Sequence, residues 1–421
     1  MRDIKIGVVG GGSVFTPELV DLLAECPLSV RSLVLMDTDR ERVTTIAQMA
    51  RRQIAKKGRN LAVETSSDYA AAVDGSDFVL IQLRAGGQKM RIEDEAIALR
   101  HAVPFVETVT VPGLGAFLRS VPIYETLADL IRRRAPTAQV MNFTNPAGAM
   151  TQFLQALDVN AVGVCNSPLF FIKAAAEVLG VDAGDIVMDW KGLNHLTFVS
   201  TITAGSSATN RLPEVLGQAR PWSSGFPFSE GVLKDLDLGI NGYLQYYFHA
   251  RRRLRELQDR KASRGQQVLA LEQELMSLYA RPDVDTVPEL LSQRGGFGYS
   301  KVVVDLIQSL VTNDHRVHYV NIRNGNTLVG LAPDTVVEVP AVAVNGQVLA
   351  LDTGPLPEPV FPLVLTMATV YHYWVKAALS RSLADLRLSM LMHPLFPDAE
   401  DSEAILAELF AVNREFVAPY K

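Results

Sequence analysis

The chain has 421 residues, 48% hydrophobic and 20% charged, with 40 Lys+Arg against 46 Asp+Glu for a formal charge of −6. This usage excludes wholesale disorder, and the mild acidity argues against a nucleic-acid-binding surface. Two cysteines, Cys26 and Cys165, are too few for a disulfide framework, so a reducing cytoplasm is expected.

The start, Met1-Arg2-Asp3-Ile4-Lys5, carries charges where a secretory segment would be apolar. Lys5–Val9 then reads as a strand running into Gly10-Gly11-Gly12-Ser13, with Thr16 as a helix cap and Pro17 at the first helical position. Further strands are expected at Leu33–Met36, Ala62–Thr65, Phe78–Ile81, Val140–Phe143 and Ala161–Val164, separated by helical stretches. That alternation predicts an α/β fold: an N-terminal Rossmann-like, doubly wound parallel sheet over residues 1–170. After residue 170 the rhythm changes, and 171–421 reads as an α+β catalytic domain packed intimately on the first. Strands are expected around Gly192-Leu193-Asn194-His195 and helices from Asp235 to Leu278. A hairpin is expected at Asn345-Gly346 and three helices from Pro359. Arg251–Arg255 reads as a solvated helix face. The apolar run Val360–Val375 holds Pro362 and His372 and falls short of the ~20 residues of a membrane span, so no membrane partner is expected.

Strand, glycine turn and helix start in that order are what a dinucleotide site requires. Gly10, Gly12, Ser13 and Val14 would line the pyrophosphate, and Asp37, closing the second strand, would hold the adenosine ribose. The third fingerprint glycine is replaced by Phe15. Asn142 and Asn145 follow the fifth strand, where two amides suit a nicotinamide or sugar hydroxyls, although Asn-Pro is also a common turn. Arg84 and Arg91 lie after the fourth strand as candidate anion clamps. Pairing of Arg91 with Glu95 is an equally good reading. Cys165 ends the sixth strand and His195 follows 30 residues later. The pair suits either an open metal site or two satisfied core side chains.

These motifs, in this order, resemble glycoside hydrolase family four, in particular its 6-phospho-β-glucosidase branch. The resemblance rests on Gly10–Ser13 with Thr16–Leu19, Gln82-x-Arg84-x-Gly86-Gly87 with Arg91 and Asp94-Glu95, and Asn142–Gly148. It continues through Cys165-Asn166-Ser167-Pro168, Gly192–Leu196, Arg294-Gly295-Gly296 and Val337–Pro340. It implies hydrolysis of a phosphorylated disaccharide such as cellobiose 6-phosphate. The steps are transient oxidation of sugar C3 by NAD⁺, removal of the C2 proton, elimination of the aglycone, water addition and return of the hydride. This family is a known exception to the two-carboxylate scheme of glycosidases.

The resemblance also implies residue roles. Cys165 and His195 match the ligands of a divalent metal, usually Mn²⁺. Tyr243 matches the base and Glu107 the acid that raises its basicity, with Tyr246 and Tyr247 nearby as alternative registers or packing. Arg91, Asn145, Asn166 and Arg294 match substrate contacts, with Arg294 as the 6-phosphate partner. Asn166 replaces the aspartate of the α-phospho branch. Relatives form homodimers or homotetramers. Three segments depart from the usual pattern and bear on phosphate and aglycone contacts: Thr110–Gly115, Phe297-Gly298 and Arg323. The rival readings are an ordinary NAD-dependent 2-hydroxy-acid dehydrogenase, the same chemistry on a non-phosphorylated glycoside, and a non-catalytic NAD sensor.

Overall fold

A computed structural model describes residues 3–217, 228, 230–296, 298–396, 398–417 and 419–421. The strands of the first half are β1 (Ile4–Val9), β2 (Val30–Met36), β3 (Ala62–Ser66), β4 (Phe78–Ile81), β5 (Gln139–Asn142) and β6 (Ala161–Val164). All six pair in parallel in the order β3-β2-β1-β4-β5-β6. Their continuous apolar runs follow from helices covering both faces: Ile6, Val8, Leu33, Leu35, Val79 and Leu80 are all buried. The chain reverses its winding between β1 and β4, and the crevice beyond their carboxyl ends is where such sheets bind ligands.

The second half contributes β7 (Ile186–Met188), β8 (Lys191–Leu193), β9 (Leu196–Val199), β10 (Ile202–Ala204), β11 (Gly239–Ile240), β12 (Val317–Arg323), β13 (Val336–Val344) and β14 (Gln347–Ala350). β12 pairs antiparallel with β6 through Val320↔Val164 and Asn321↔Gly163, and β13, β8, β9 and β11 follow outward. Both halves therefore share one sheet, and a second, two-stranded sheet joins β7 to β10. The β13–β14 hairpin turns at Asn345 (φ +50°) and Gly346 (φ +76°), as the Asn-Gly signal predicts.

Several expectations need correction. Phe15, not Thr16, stands at the cap of the first helix, Thr16–Glu25, and the Thr16 hydroxyl instead accepts from Gln82 Nε2 at 2.8 Å. Residue 170 falls inside the helix Ser167–Leu179, so no break in the backbone marks that position. The stretch from Asp235 to Leu278 is interrupted by β11 and by short helical turns before the helices Ala250–Gln258 and Arg264–Ala280. The tail forms the three expected helices, Phe361–Ser380, Leu383–Met392 and Ala399–Val412. In the first of them Val364, Met367 and Trp374 are buried, Trp374 against Phe117 at 5.7 Å. Among the described residues, no helix is long and apolar enough to cross a membrane.

Candidate active site

The glycine turn leaves β1 with Gly10 at φ +86°, where a Cβ would lie 2.8 Å from the Leu83 amide nitrogen. A Cβ on Gly12 would lie 2.8 Å from Asp37 Oδ2, the atom that accepts from the Gly12 N–H at 2.9 Å. Only glycine allows the loop to close onto Asp37 in this way. Gly10, Gly12, Ser13 and Asp37 line a cleft of about 480 Å³ that continues past Glu107, Asn145, Asn166 and Tyr243.

Phe15, the residue replacing the third glycine, turns its ring to this cleft, and the Arg294 guanidinium lies 5.4 Å from the ring centroid. Val14 does not line the cleft: its side chain is buried in the core and its carbonyl accepts from the Tyr279 hydroxyl at 2.9 Å. Asn142 is also spent internally. Its Oδ1 accepts from Tyr124 at 2.6 Å, and its Nδ2 donates to Thr144, Ala147 and Thr151, shaping the loop that presents Asn145.

Cys165 follows β6 and His195 lies in the β8–β9 turn at φ +65°, so the shared sheet brings one side chain from each half together. Cys165 Sγ and His195 Nε2 are 3.4 Å apart, and both residues are buried. Thr108 Oγ1 is 2.7 Å from His195 Nδ1 and fixes the ring. Burial lowers the imidazole pKa to about 4, leaving it neutral. Burial, helped by the charge of Glu338, raises the Cys165 thiol to about 12. Among the described residues no third His, Cys, Asp or Glu completes a metal cluster, so a cation held here would keep open positions.

Tyr243 stacks on His195 with 3.7 Å between ring centroids and 4° between planes. Asn241 holds it there, accepting from the Tyr243 N–H at 3.1 Å while donating to Thr197 on β9 at 3.0 Å. Tyr246 faces a second pocket, and Tyr247 stacks instead toward His393. Burial raises the Tyr243 phenol well above its ordinary range, and the charge of Glu107 raises it further. Burial alone would also raise the Glu107 carboxyl, but Arg91, Arg84 and Arg294 hold it far below the usual carboxylate range. Glu107 accepts from Arg91 at 2.8 Å and from Asn145 at 3.3 Å. Arg91 also pairs with Glu95 at 2.8 Å, the i,i+4 pair that its spacing predicts.

A second pocket, of about 380 Å³, adjoins the first at Glu107, Asn166 and Tyr243. Five arginines line it: Arg91, Arg253, Arg260, Arg264 and Arg294. Arg253 corrects the solvated-face reading of its run, being buried with its guanidinium 5.2 Å from the Tyr246 ring centroid. Its alignment with buried Leu257 one turn on is the sequence signal that could have shown this. Arg91, Arg253 and Arg294 have carboxylate partners in Glu95 and Glu107, Glu256 and Glu272 respectively. Arg260 and Arg264 make no ion pair among the described residues.

Sequence reasoning gave no role to Arg253, Arg260, Arg264, Thr108 or Tyr299, although all but Thr108 line one of the two pockets. Of the three departures, Arg323 is exposed and bonds the Gln155 carbonyl, reaching neither pocket. Thr110–Gly115 opens a buried helix whose glycines admit the Thr108 carbonyl and Asp94. Phe297 lies outside the described residues.

Residues 5–181 match the family described as family 4 glycosyl hydrolase, and residues 190–396 match its C-terminal domain. The chain belongs to glycosyl hydrolase family 4. It is 32% identical over 419 residues to the 6-phospho-beta-glucosidase BglT of Thermotoga maritima, covering 98% of this chain and 99% of that protein. It is 26% identical over 443 residues to the phospho-alpha-glucosidase PagL of Clostridium acetobutylicum, covering 99% of each. The Thermotoga maritima 6-phospho-beta glucosidase solved with manganese, NAD⁺ and glucose-6-phosphate superposes with a TM-score of 0.91 at 30% identity. That match covers 99% of this chain and all of that one.

Proposed function

We propose that this family 4 enzyme hydrolyses 6-phospho-β-glucosides using NAD⁺ and a divalent cation such as Mn²⁺. The observation that carries the reading is the Cys165–His195 pair with Tyr243 stacked on it, set where the dinucleotide cleft meets the arginine-lined pocket.

The residues present fit both groups. Gly10 and Gly12 form a cradle that any Cβ would fill, ahead of the helix Thr16–Glu25 whose N-terminal dipole suits a pyrophosphate. Asp37 is placed for the ribose hydroxyls, and Ser13 lines the same wall. At the other end, a neutral imidazole nitrogen faces a thiol, and Asn145 Oδ1 is a buried oxygen with no hydrogen-bond partner among the described residues. Sulfur and nitrogen donors with open positions suit a borderline divalent ion. When bound, NAD⁺ supplies a hydride acceptor and the cation a Lewis acid toward the sugar oxygens.

The chain's own side chains account for the rest. Tyr243, held rigid by Asn241 and by its stack on His195, takes the C2 proton. Glu107, kept ionised by its arginines, raises the basicity of that phenol. Arg260, Arg264 and Arg294 receive the 6-phosphate. Two guanidiniums without carboxylate partners among the described residues, Arg260 and Arg264, balance the −1.5 to −2 charge that a phosphate monoester carries at about neutral pH. Asn166 stands at the start of the helix Ser167–Leu179, lines both pockets, and contacts the sugar with Asn145 and Arg91. Phe170, exposed at the pocket mouth, offers a ring face to the aglycone.

The phosphorylated disaccharide is the partner implied. Exposed Leu365, Leu379, Leu388 and Leu391 on two tail helices support self-association as a homodimer or homotetramer, which sedimentation would read. The thiol chemistry of Cys165 supports a cytoplasmic location.

The test is hydrolysis of paired p-nitrophenyl β-glucosides with and without a 6-phosphate, in NAD⁺, Mn²⁺ and a reductant. Turnover confined to the phosphorylated member, dependent on both cofactors, is expected. Equal turnover of both would remove the phosphate assignment, and net NADH formation would favour an ordinary dehydrogenase.

A further inference from the structure

Glu338, on β13, is fully buried, its charge acts on the Cys165 thiol, and no activity described so far uses it. In the sheet it lies opposite Asn321 of β12 on one side and Gly192 of β8 on the other, one strand in from the β6–β12 seam where the two halves of the chain join. Its Oε2 accepts from Trp190 Nε1 at 3.0 Å, and its Oε1 accepts from Asn194 Nδ2 and Asn321 Nδ2, each at 3.0 Å. All three neighbours donate. Three donors converging on its two oxygens suit a carboxylate, although burial pushes its pKa up from the ordinary carboxylate value.

No Lys, Arg or His among the described residues forms an ion pair with Glu338. A buried charge held only by neutral donors is costly unless a counter-charge lies nearby. The surroundings are cut to fit the group. A Cβ on Gly192 would lie 2.2 Å from the Leu196 carbonyl oxygen, and one on Gly163 would lie 2.9 Å from the Asn321 Cβ. Gly163 thus makes room for the Asn321 side chain beside the carboxylate, and Gly192 for the close β8–β9 turn. Asn194, which Glu338 holds, precedes His195, whose backbone is at φ +65°. The Asn194 side chain also acts on the Cys165 thiol, lowering its pKa against the effect of burial.

We propose that Glu338 is the buried counter-charge of the cation site. It supplies the second negative charge, beside the Cys165 thiolate, that balances a divalent ion. Through Asn194 it also fixes the turn that aims His195. It acts as a positioning residue and touches neither substrate nor cofactor. Outer partners of metal ligands typically change affinity by about 10–100-fold when removed. This inference rests on the metal reading given under Proposed function.

The experiment measures Mn²⁺ binding to the full chain by the electron paramagnetic resonance signal of free Mn²⁺, with NAD⁺ affinity and the thermal midpoint read alongside. Glu338→Gln, isosteric and neutral, should weaken Mn²⁺ by about 10–100-fold while leaving NAD⁺ affinity unchanged. Glu338→Asp, which keeps the charge, should recover part of the loss. If Glu338→Gln does not fold, Trp190→Phe removes one donor and keeps a ring, and it should weaken Mn²⁺ several-fold. Wild-type Mn²⁺ affinity in a folded Glu338→Gln protein, or in Trp190→Phe where that variant decides, overturns the inference. A wild-type chain that binds no Mn²⁺ overturns the metal reading itself, which is a separate result.

Discussion

At the scale of single residues, the chemistry depends on which atoms face one another. Thr108 at His195 Nδ1 leaves Nε2 turned to the Cys165 sulfur, so the pair offers two donors to one point. Cys165→Ser and His195→Ala should each abolish Mn²⁺-dependent turnover while leaving NAD⁺ binding intact. Full activity in either variant would remove the metal assignment. Tyr243→Phe keeps the ring stacked on His195 and removes only the hydroxyl. It should lower kcat by about 10²–10⁴-fold and stop exchange of the substrate C2 proton with solvent. Normal C2 exchange in that variant would move the base elsewhere. The motifs single out Cys165, His195 and Glu107, and the structure sets the first two 3.4 Å apart and the third on the adjoining cleft wall; the roles given to them are the proposal above. Asn142 was misread, because its motif position says nothing of the Tyr124, Thr144 and Thr151 partners that use up its amide.

Among elements, the helices around the cleft are tied by ion pairs that the sequence cannot place. Arg119, on the helix Val111–Arg134, makes a two-point pair with Asp94 on the helix Gly87–Arg100, at 2.9 and 2.6 Å. It also bonds the Ala85 carbonyl of the strand-end loop at 3.1 Å. Both partners are buried, so Asp94→Ala leaves an uncompensated guanidinium. It should cost about 3–5 kcal/mol, measured as a lower urea midpoint. Arg264 opens the helix Arg264–Ala280, whose first turn is pinned by the Gly265 N–H donating to Glu95 at 2.9 Å. Arg264→Ala should raise KM for the phosphorylated glucoside about tenfold or more and change kcat little. An unchanged KM would place the phosphate elsewhere. Strand periodicity and the Asn345-Gly346 turn were readable because they are local. The arginine pocket was not, because its five arginines come from three stretches far apart in the chain: Arg91, Arg253 to Arg264, and Arg294.

Across the whole molecule, one sheet runs from parallel to antiparallel pairing, and the proposed cation site spans the β6–β12 seam. Two lobes joined this way have no independent edges there, which explains why residue 170 marks no structural break. It also makes metal binding a cross-link between halves. At 100 times its Kd, Mn²⁺ should add about 2.7 kcal/mol to stability, and chelation should lower the thermal midpoint accordingly. An unchanged midpoint would contradict a site built from both halves. The central claim is that glycoside cleavage proceeds through removal of the C2 proton while the hydride borrowed from C3 returns to the same sugar. Its most direct test is hydrolysis of a 6-phospho-β-glucoside in D₂O, with NMR of the released glucose 6-phosphate. Deuterium at C2 with protium retained at C3 is predicted, and a product carrying protium at both positions would contradict the account.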